Sequence, residues 1–192
     1  MNIFTYSGTC LSRGSLCDHL NHLGLNGSGV EVGVWRGDFS MEIISRSLLS
    51  RLYLVDPWCK LDDYDDVRNR DFDPSDYLFV HERFCKLRHK VSIVKSTSLS
   101  ASRNLPNCLD FVYIDANHEY EYVLQDLSIW WPKIRVGGVL AGHDVFSLNH
   151  PGVTAAVAKF AIDNGLTIDL IPGDFNKGGM LVNAHSWYVV KS

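Results

Sequence analysis

Short apolar runs alternate along this chain with segments whose apolar residues recur every three or four positions. That alternation predicts stacked βαβ units, hence an α/β fold with a mostly parallel sheet. The strand-like runs are Gly29–Val34, Leu52–Val55, Val91–Val94, Asp110–Ile114 and Gly138–Gly142. Helical spacing fills the gaps: Phe39 to Leu49, then Tyr77, Val80, Phe84 and Leu87, then Tyr122, Leu124, Leu127 and Trp131 with Pro132 closing the helix. A further helix is expected over Val153 to Asn164, ended by a left-handed Gly165. The last two runs, Thr167–Ile171 and Ser186–Lys191, are joined by a segment too short for a crossover helix, so they are predicted to form an antiparallel hairpin. The expectation is a seven-stranded sheet with helices on both faces, in a single domain over residues 1–192.

Bulk properties narrow the function classes. A net charge of −4 gives no electrostatic reason to expect nucleic acid or an anionic membrane surface as partner. No apolar run approaches the roughly 20 residues that span a bilayer, and the N-terminus lacks the basic start and apolar stretch of a signal peptide. The five cysteines are scattered with no C-x-x-C pair, which argues against a disulfide framework or a cysteine zinc site and for a reducing cytoplasm.

In open sheets of this kind ligands sit at the carboxyl ends of the strands. After the first strand, Gly33 and Gly37 permit a sharp turn and close backbone approach, but at G-x-x-x-G spacing rather than the G-x-G-x-x-G of a dinucleotide site. Asp56 ends the second strand about 20 residues further on, where a carboxylate accepts ribose hydroxyls. Trp58 either lies against an adenine or covers the sheet edge. Thr97 and Ser98 either cap a helix or touch the adenine. After the fourth and fifth predicted strands come Asp115-Ala116-Asn117-His118 and His143-Asp144, an oxygen-rich cluster with imidazole that suits Mg²⁺ or Mn²⁺ better than a structural zinc. Taken singly, each of these residues also has a structural explanation as a cap or a core group.

The block from Phe111-Val112-Tyr113-Ile114-Asp115-Ala116-Asn117-His118-Glu119-Tyr120 to Trp130-Trp131-Pro132 and Gly137-Gly138-Val139-Leu140-Ala141-Gly142-His143-Asp144 resembles class I methyltransferases. It most resembles the family 24 branch, related to macrolide-sugar O-methyltransferases and cephalosporin hydroxylase-like proteins. With Glu31-Val32-Gly33 and Asp56, the likeness runs from about residue 25 to 190. It implies a Rossmann-like sheet and S-adenosylmethionine as cofactor, with Glu31, Gly33 and Gly37 at its methionine part and Asp56 on its ribose. It also implies a metal set of Asp115, His143 and Asp144; His143 departs from the carboxylate of the metal-dependent relatives, which lowers the anionic charge there.

The expected reaction is methyl transfer to a small-molecule hydroxyl, with His118 or His143 as general base or Asp115 acting beside a metal. Two other classes fit parts of the pattern. A metal hydrolase or oxygenase would use Asp115, His118 and His143 but leaves the glycine turn and Asp56 without a role. A nucleoside-binding module would keep the cofactor site without turnover. Little N-terminal lid is expected from the roughly 25 residues before the first strand. The acidic segment Lys60–Asp73 is a candidate lid over the acceptor, and the hairpin tip Asp174–Lys177 a candidate opposite wall or homodimer contact.

Overall fold

The computed structural model describes residues 2–61, 72–173 and 184–192. The strands are β1 (Phe4–Thr5), β2 (Ser28–Val32), β3 (Arg51–Asp56), β4 (Val91–Lys95), β5 (Leu109–Ile114), β6 (Ile134–Val145), β7 (Ile168–Ile171) and β8 (His185–Val190). The helices are α1 (Arg13–His22), α2 (Asp38–Arg46), α3 (Asp76–Arg83), α4 (Ser98–Asn104), α5 (Tyr120–Trp130) and α6 (Pro151–Asn164). Among the described residues one sheet holds eight strands in the order β1-β7-β8-β6-β5-β2-β3-β4. Only β8 runs against the rest, antiparallel to both β6 and β7. The C-terminal antiparallel pair is therefore present, and the sheet has eight strands rather than the expected seven. The added strand is β1, two residues that pair with Ile168 and Asp169 of β7, too short to leave a periodic signal.

The central strand β5 is buried along its whole length, as expected for a strand covered on both faces. Val30, Val112, Ile114 and Leu140 point to one face and pack with Leu127 and Trp130 of α5 and Val157 and Phe160 of α6. Leu54, Phe111, Tyr113 and Ala141 point to the other and meet Leu16 and Leu20 of α1, Ile43 of α2 and Phe84. In α5 the buried stripe is Val123, Leu127 and Trp130, with Leu124 and, just past the helix, Trp131 packed against the same core; of the expected positions Tyr122 alone is exposed. Helix α2 stops at Arg46 rather than Leu49. Asn21 of α1 supplies the reason: its side-chain carbonyl accepts the Leu48 N–H at 2.7 Å and its amide donates to the Arg46 carbonyl at 2.7 Å. Gly165 ends α6 at φ 64°, as its sequence position predicts.

Helix α1 has no counterpart among the elements expected from apolar periodicity. Its signal is local: Ser12 and Ser15 form a reciprocal cap, each hydroxyl accepting the other's backbone N–H, at 3.1 Å and 2.9 Å. Leu16, Cys17 and Leu20 then bury the helix against the sheet. Among the described residues no helix is long and apolar enough to cross a membrane. The expected hairpin tip, Asp174–Lys177, and most of the expected lid, residues 62–71, lie outside the described residues.

Candidate active site

The carboxyl ends of β2, β3, β5 and β6 meet at one edge of the sheet, and the predicted residues gather there. Gly33 leaves β2 at φ 86°. A side chain there would run into the Asp115 carbonyl and come within 2.7 Å of the Ala116 Cα. Glycine is thus needed by the neighbouring β5 end as well as by any ligand. Gly37 opens α2 at φ 75°, where a Cβ would lie 2.6 Å from the Phe84 ring. Between them Trp35 holds φ 49°, an uncommon backbone for a bulky residue.

That turn is held from three sides. Asp56 Oδ2 accepts the Val34 and Trp35 N–H groups at 2.9 and 3.0 Å, and Oδ1 accepts the Trp58 N–H at 2.7 Å. Burial nevertheless pushes the Asp56 carboxyl above its ordinary pKa, the three backbone donors only partly offsetting it. Trp58 is buried and donates its indole N–H to the Trp35 carbonyl at 2.9 Å, so it covers and pins the turn. Asp76, at the start of α3 and also buried, accepts the Trp35 indole N–H at 3.1 Å and the Arg36 Nε–H at 2.6 Å. Asp76 went unnoticed in the sequence because its partners are 40 and 41 residues away.

Below the turn, Glu31 is fully enclosed and accepts a hydrogen bond from the Ser40 hydroxyl. Burial pushes its pKa up to about 8, so the group is mostly neutral at pH 7. Thr97 caps α4 by accepting the Ser100 N–H at 3.3 Å, and the Ser98 hydroxyl accepts the Trp130 indole N–H at 2.9 Å. Both therefore already have structural partners.

The acidic and imidazole residues form the second half. His118 Nε2 lies 3.1 Å from Asp144 Oδ2 and 3.9 Å from Asp115 Oδ1. His143 Nδ1 approaches the same Asp144 oxygen at 3.3 Å. Asp144 takes a left-handed backbone, φ 63°, which aims its carboxylate back at both rings. Burial pulls the His118 pKa down, but the two carboxylates outweigh it and raise it to about 10. Burial pushes Asp144 up, yet its hydrogen bonds to the two histidines hold it well below the usual carboxylate range. The His150 ring lies 3.9 Å from the His118 ring. Next to this group His185 meets Tyr6 and Phe146 edge-on. Neither His150 nor His185 was marked by a motif; tertiary packing alone brings them in.

Among the described residues, Asp115, His118 and Asp144 bring ligand atoms within 4.8 Å of one another. The resemblance placed His143 in the metal set instead of His118; here His143 stands beside Asp144, outside that trio. Among the described residues Asp115 Oδ1 is buried without a hydrogen-bond partner, and two carboxylates with one imidazole suit a hard divalent ion, so the donor set fits one. These residues, with Ala116, Asn117, Val153 and Trp187, line a small cavity.

The methyltransferase domain family matches residues 30–145, more than half of the chain. A search of curated proteins finds no match. Among solved structures, the O-methyltransferase NovP superposes with a TM-score of 0.70 at 16% identity, over 94% of this chain and 78% of that one. An O-methyltransferase from Bacillus cereus in complex with SAH gives 0.64 at 15%, over 93% and 80%. An rRNA methylase from Streptococcus thermophilus gives 0.63 at 12%, over 92% and 93%, so the shared fold spans different acceptors. Glycine turn, strand-end aspartate and family match converge: the chain belongs to the class I S-adenosylmethionine-dependent methyltransferases.

Proposed function

We propose that the enzyme methylates a hydroxyl of a small molecule, with His143 as the general base. The observation that carries this reading is the Asp144–His143 pair at the end of β6. Asp144 engages Nδ1 at 3.3 Å, which orients the ring and leaves Nε2 to receive a proton. His118 is unsuited to that task while two carboxylates keep it protonated, since a pKa of about 10 makes it an imidazolium at neutral pH. Its charge instead balances Asp115 and Asp144.

The sulfonium already makes the methyl group electrophilic, so the protein has to align the acceptor and take its proton. The turn fixed by Asp56 and Asp76 would hold the adenosine, with the Oδ1 of Asp56, which takes one backbone bond, keeping a lone pair for a ribose hydroxyl. Tyr6, Phe146 and His185 offer an aromatic wall on the acceptor side. Asp115, His118 and Asp144 would hold a divalent ion, Mg²⁺ or Mn²⁺, after His118 gives up its proton; such an ion supplies acidification and orientation of the acceptor oxygen.

Titration calorimetry with S-adenosylhomocysteine, paired with methyl transfer from labelled S-adenosylmethionine to a panel of hydroxylated compounds, tests the proposal. Binding should weaken about tenfold in Asp56→Ala, the size of a lost charged hydrogen bond. Transfer should fall in His143→Gln and, after chelation, return with Mg²⁺ or Mn²⁺. Full turnover in His143→Gln would remove the base assignment, and transfer to nitrogen or carbon acceptors alone would remove the hydroxyl.

A further inference from the structure

Four rings meet beside the acid–imidazole cluster, and two of them stay open to solvent. Phe146 stands 5.1 Å from Phe4 and 5.9 Å from His185, and Tyr6 lies 5.9 Å from His185, each pair edge-on. Tyr6 is 55% exposed and Phe146 44%, so burial does not account for where they are held. His185 touches both and pairs with Val145 across the sheet. Burial first, and then nearby His143, lower its pKa, so the ring is neutral at pH 7. Phe146 keeps a left-handed backbone, φ 60°, two residues after the left-handed Asp144. Such a backbone is costly for a bulky residue. Two bonds hold it: the Thr154 hydroxyl of α6 accepts the Phe146 N–H at 2.7 Å, and the Asp144 carbonyl accepts the Ser147 N–H at 3.2 Å. The turn that directs Asp144 at the histidines therefore also sets an exposed aromatic ring at the same strand end.

We infer that Phe146, Tyr6 and His185 grip an aromatic ring of the acceptor, that the hydroxyl methylated is a phenol, and that Thr154 is the positioning residue for the Phe146 ring. The inference rests on the hydroxyl-transfer reading and names its substrate class. Rings carry a negative face and a positive edge, and these three already meet in the edge-to-face manner this favours; a further ring continues the pattern. Each such contact favours an aromatic ring over a saturated one about two- to tenfold. A phenol, with a pKa of about 10, is also a far easier proton source for an imidazole than an aliphatic alcohol. Its proton passes to His143 Nε2, its oxygen bonds the methyl carbon as the carbon–sulfur bond breaks, and S-adenosylhomocysteine leaves.

Methyl transfer from labelled S-adenosylmethionine to matched pairs of acceptors tests it: phenol with cyclohexanol, and 2-naphthol with decahydro-2-naphthol. The wild type should show a KM about tenfold lower for the aromatic member of each pair. Phe146→Leu keeps an apolar side chain but no ring, and should raise the KM of the aromatic member until the pair converges. Thr154→Val should raise the same KM, and Thr154→Ser, which keeps the hydroxyl, should restore it; a merely structural loss would lower kcat for both members alike. Circular dichroism and thermal unfolding check folding; should the valine variant be unstable, Phe146→Leu carries the test. An equal rise for both members in Phe146→Leu, no rise at all, or a lower wild-type KM for the saturated alcohols overturns the aromatic assignment while leaving hydroxyl transfer standing. An unchanged KM in a folded Thr154→Val overturns the positioning role. Methylation of neither member of either pair overturns the hydroxyl reading itself, and the inference with it.

Discussion

The two halves of the cleft are held by different physics. Around Gly33–Gly37 the geometry is set by backbone hydrogen bonds and by side chains locked at both ends, with Asp56 taking three N–H groups and Asp76 an indole and a guanidinium. Around Asp115 and Asp144 it is set by titratable charges facing one another at 3.1 to 3.9 Å. The first half is held by backbone and indole donors whose geometry is fixed by the fold. The second brings ionisable groups into mutual contact, with His118 and Asp144 each stabilising the other's charged form.

The largest effect that would break this contrast is at Gly33. Ala at φ 86° is strained, and its methyl would meet the Asp115 backbone, so Gly33→Ala should cost about 3 kcal/mol or more and abolish cofactor binding. Thermal unfolding and calorimetry would show both; a variant that melts and binds like the wild type would mean the turn is not rigid. Next in size is Asp144→Asn. Asparagine tolerates the left-handed backbone, so S-adenosylhomocysteine affinity should stay within about threefold while kcat falls about 100-fold or more, as when a general base loses its partner. A parallel loss of affinity would merge the two halves into one. The smallest effect sharpens the comparison through pH. The folded-state pKa of Glu31 stands near 8, above its ordinary 4.5. Its contribution is fully present below about 4.5 and is lost as pH rises through about 8. Glu31→Gln should therefore stay close to the wild type in melting temperature near pH 5 and exceed it by about 10 °C near pH 9. Identical melting curves across that range would show that the carboxyl is not desolvated.

Much of the scaffold was legible because parallel strands buried on both faces read as continuous apolar runs, as Asp110–Ile114 and Gly138–Gly142 do. The strand-end acids were legible for a related reason: a charged residue directly after such a run marks the sheet's rim. What escaped notice depends on distance in sequence. Asp76, His150 and His185 carry no local pattern, and α1 announces itself only through a serine pair and three apolar positions. That the His118 ring, rather than that of His143, converges with both Asp115 and Asp144 is a matter of tertiary placement, which no spacing rule supplies.

At Gly33 the donor pocket and the proton-handling cluster touch main chain to main chain, with no side chain between them to absorb a shift. A side chain at position 33 would therefore disturb both halves at once, the turn through its φ of 86° and the β5 end through the Asp115 carbonyl.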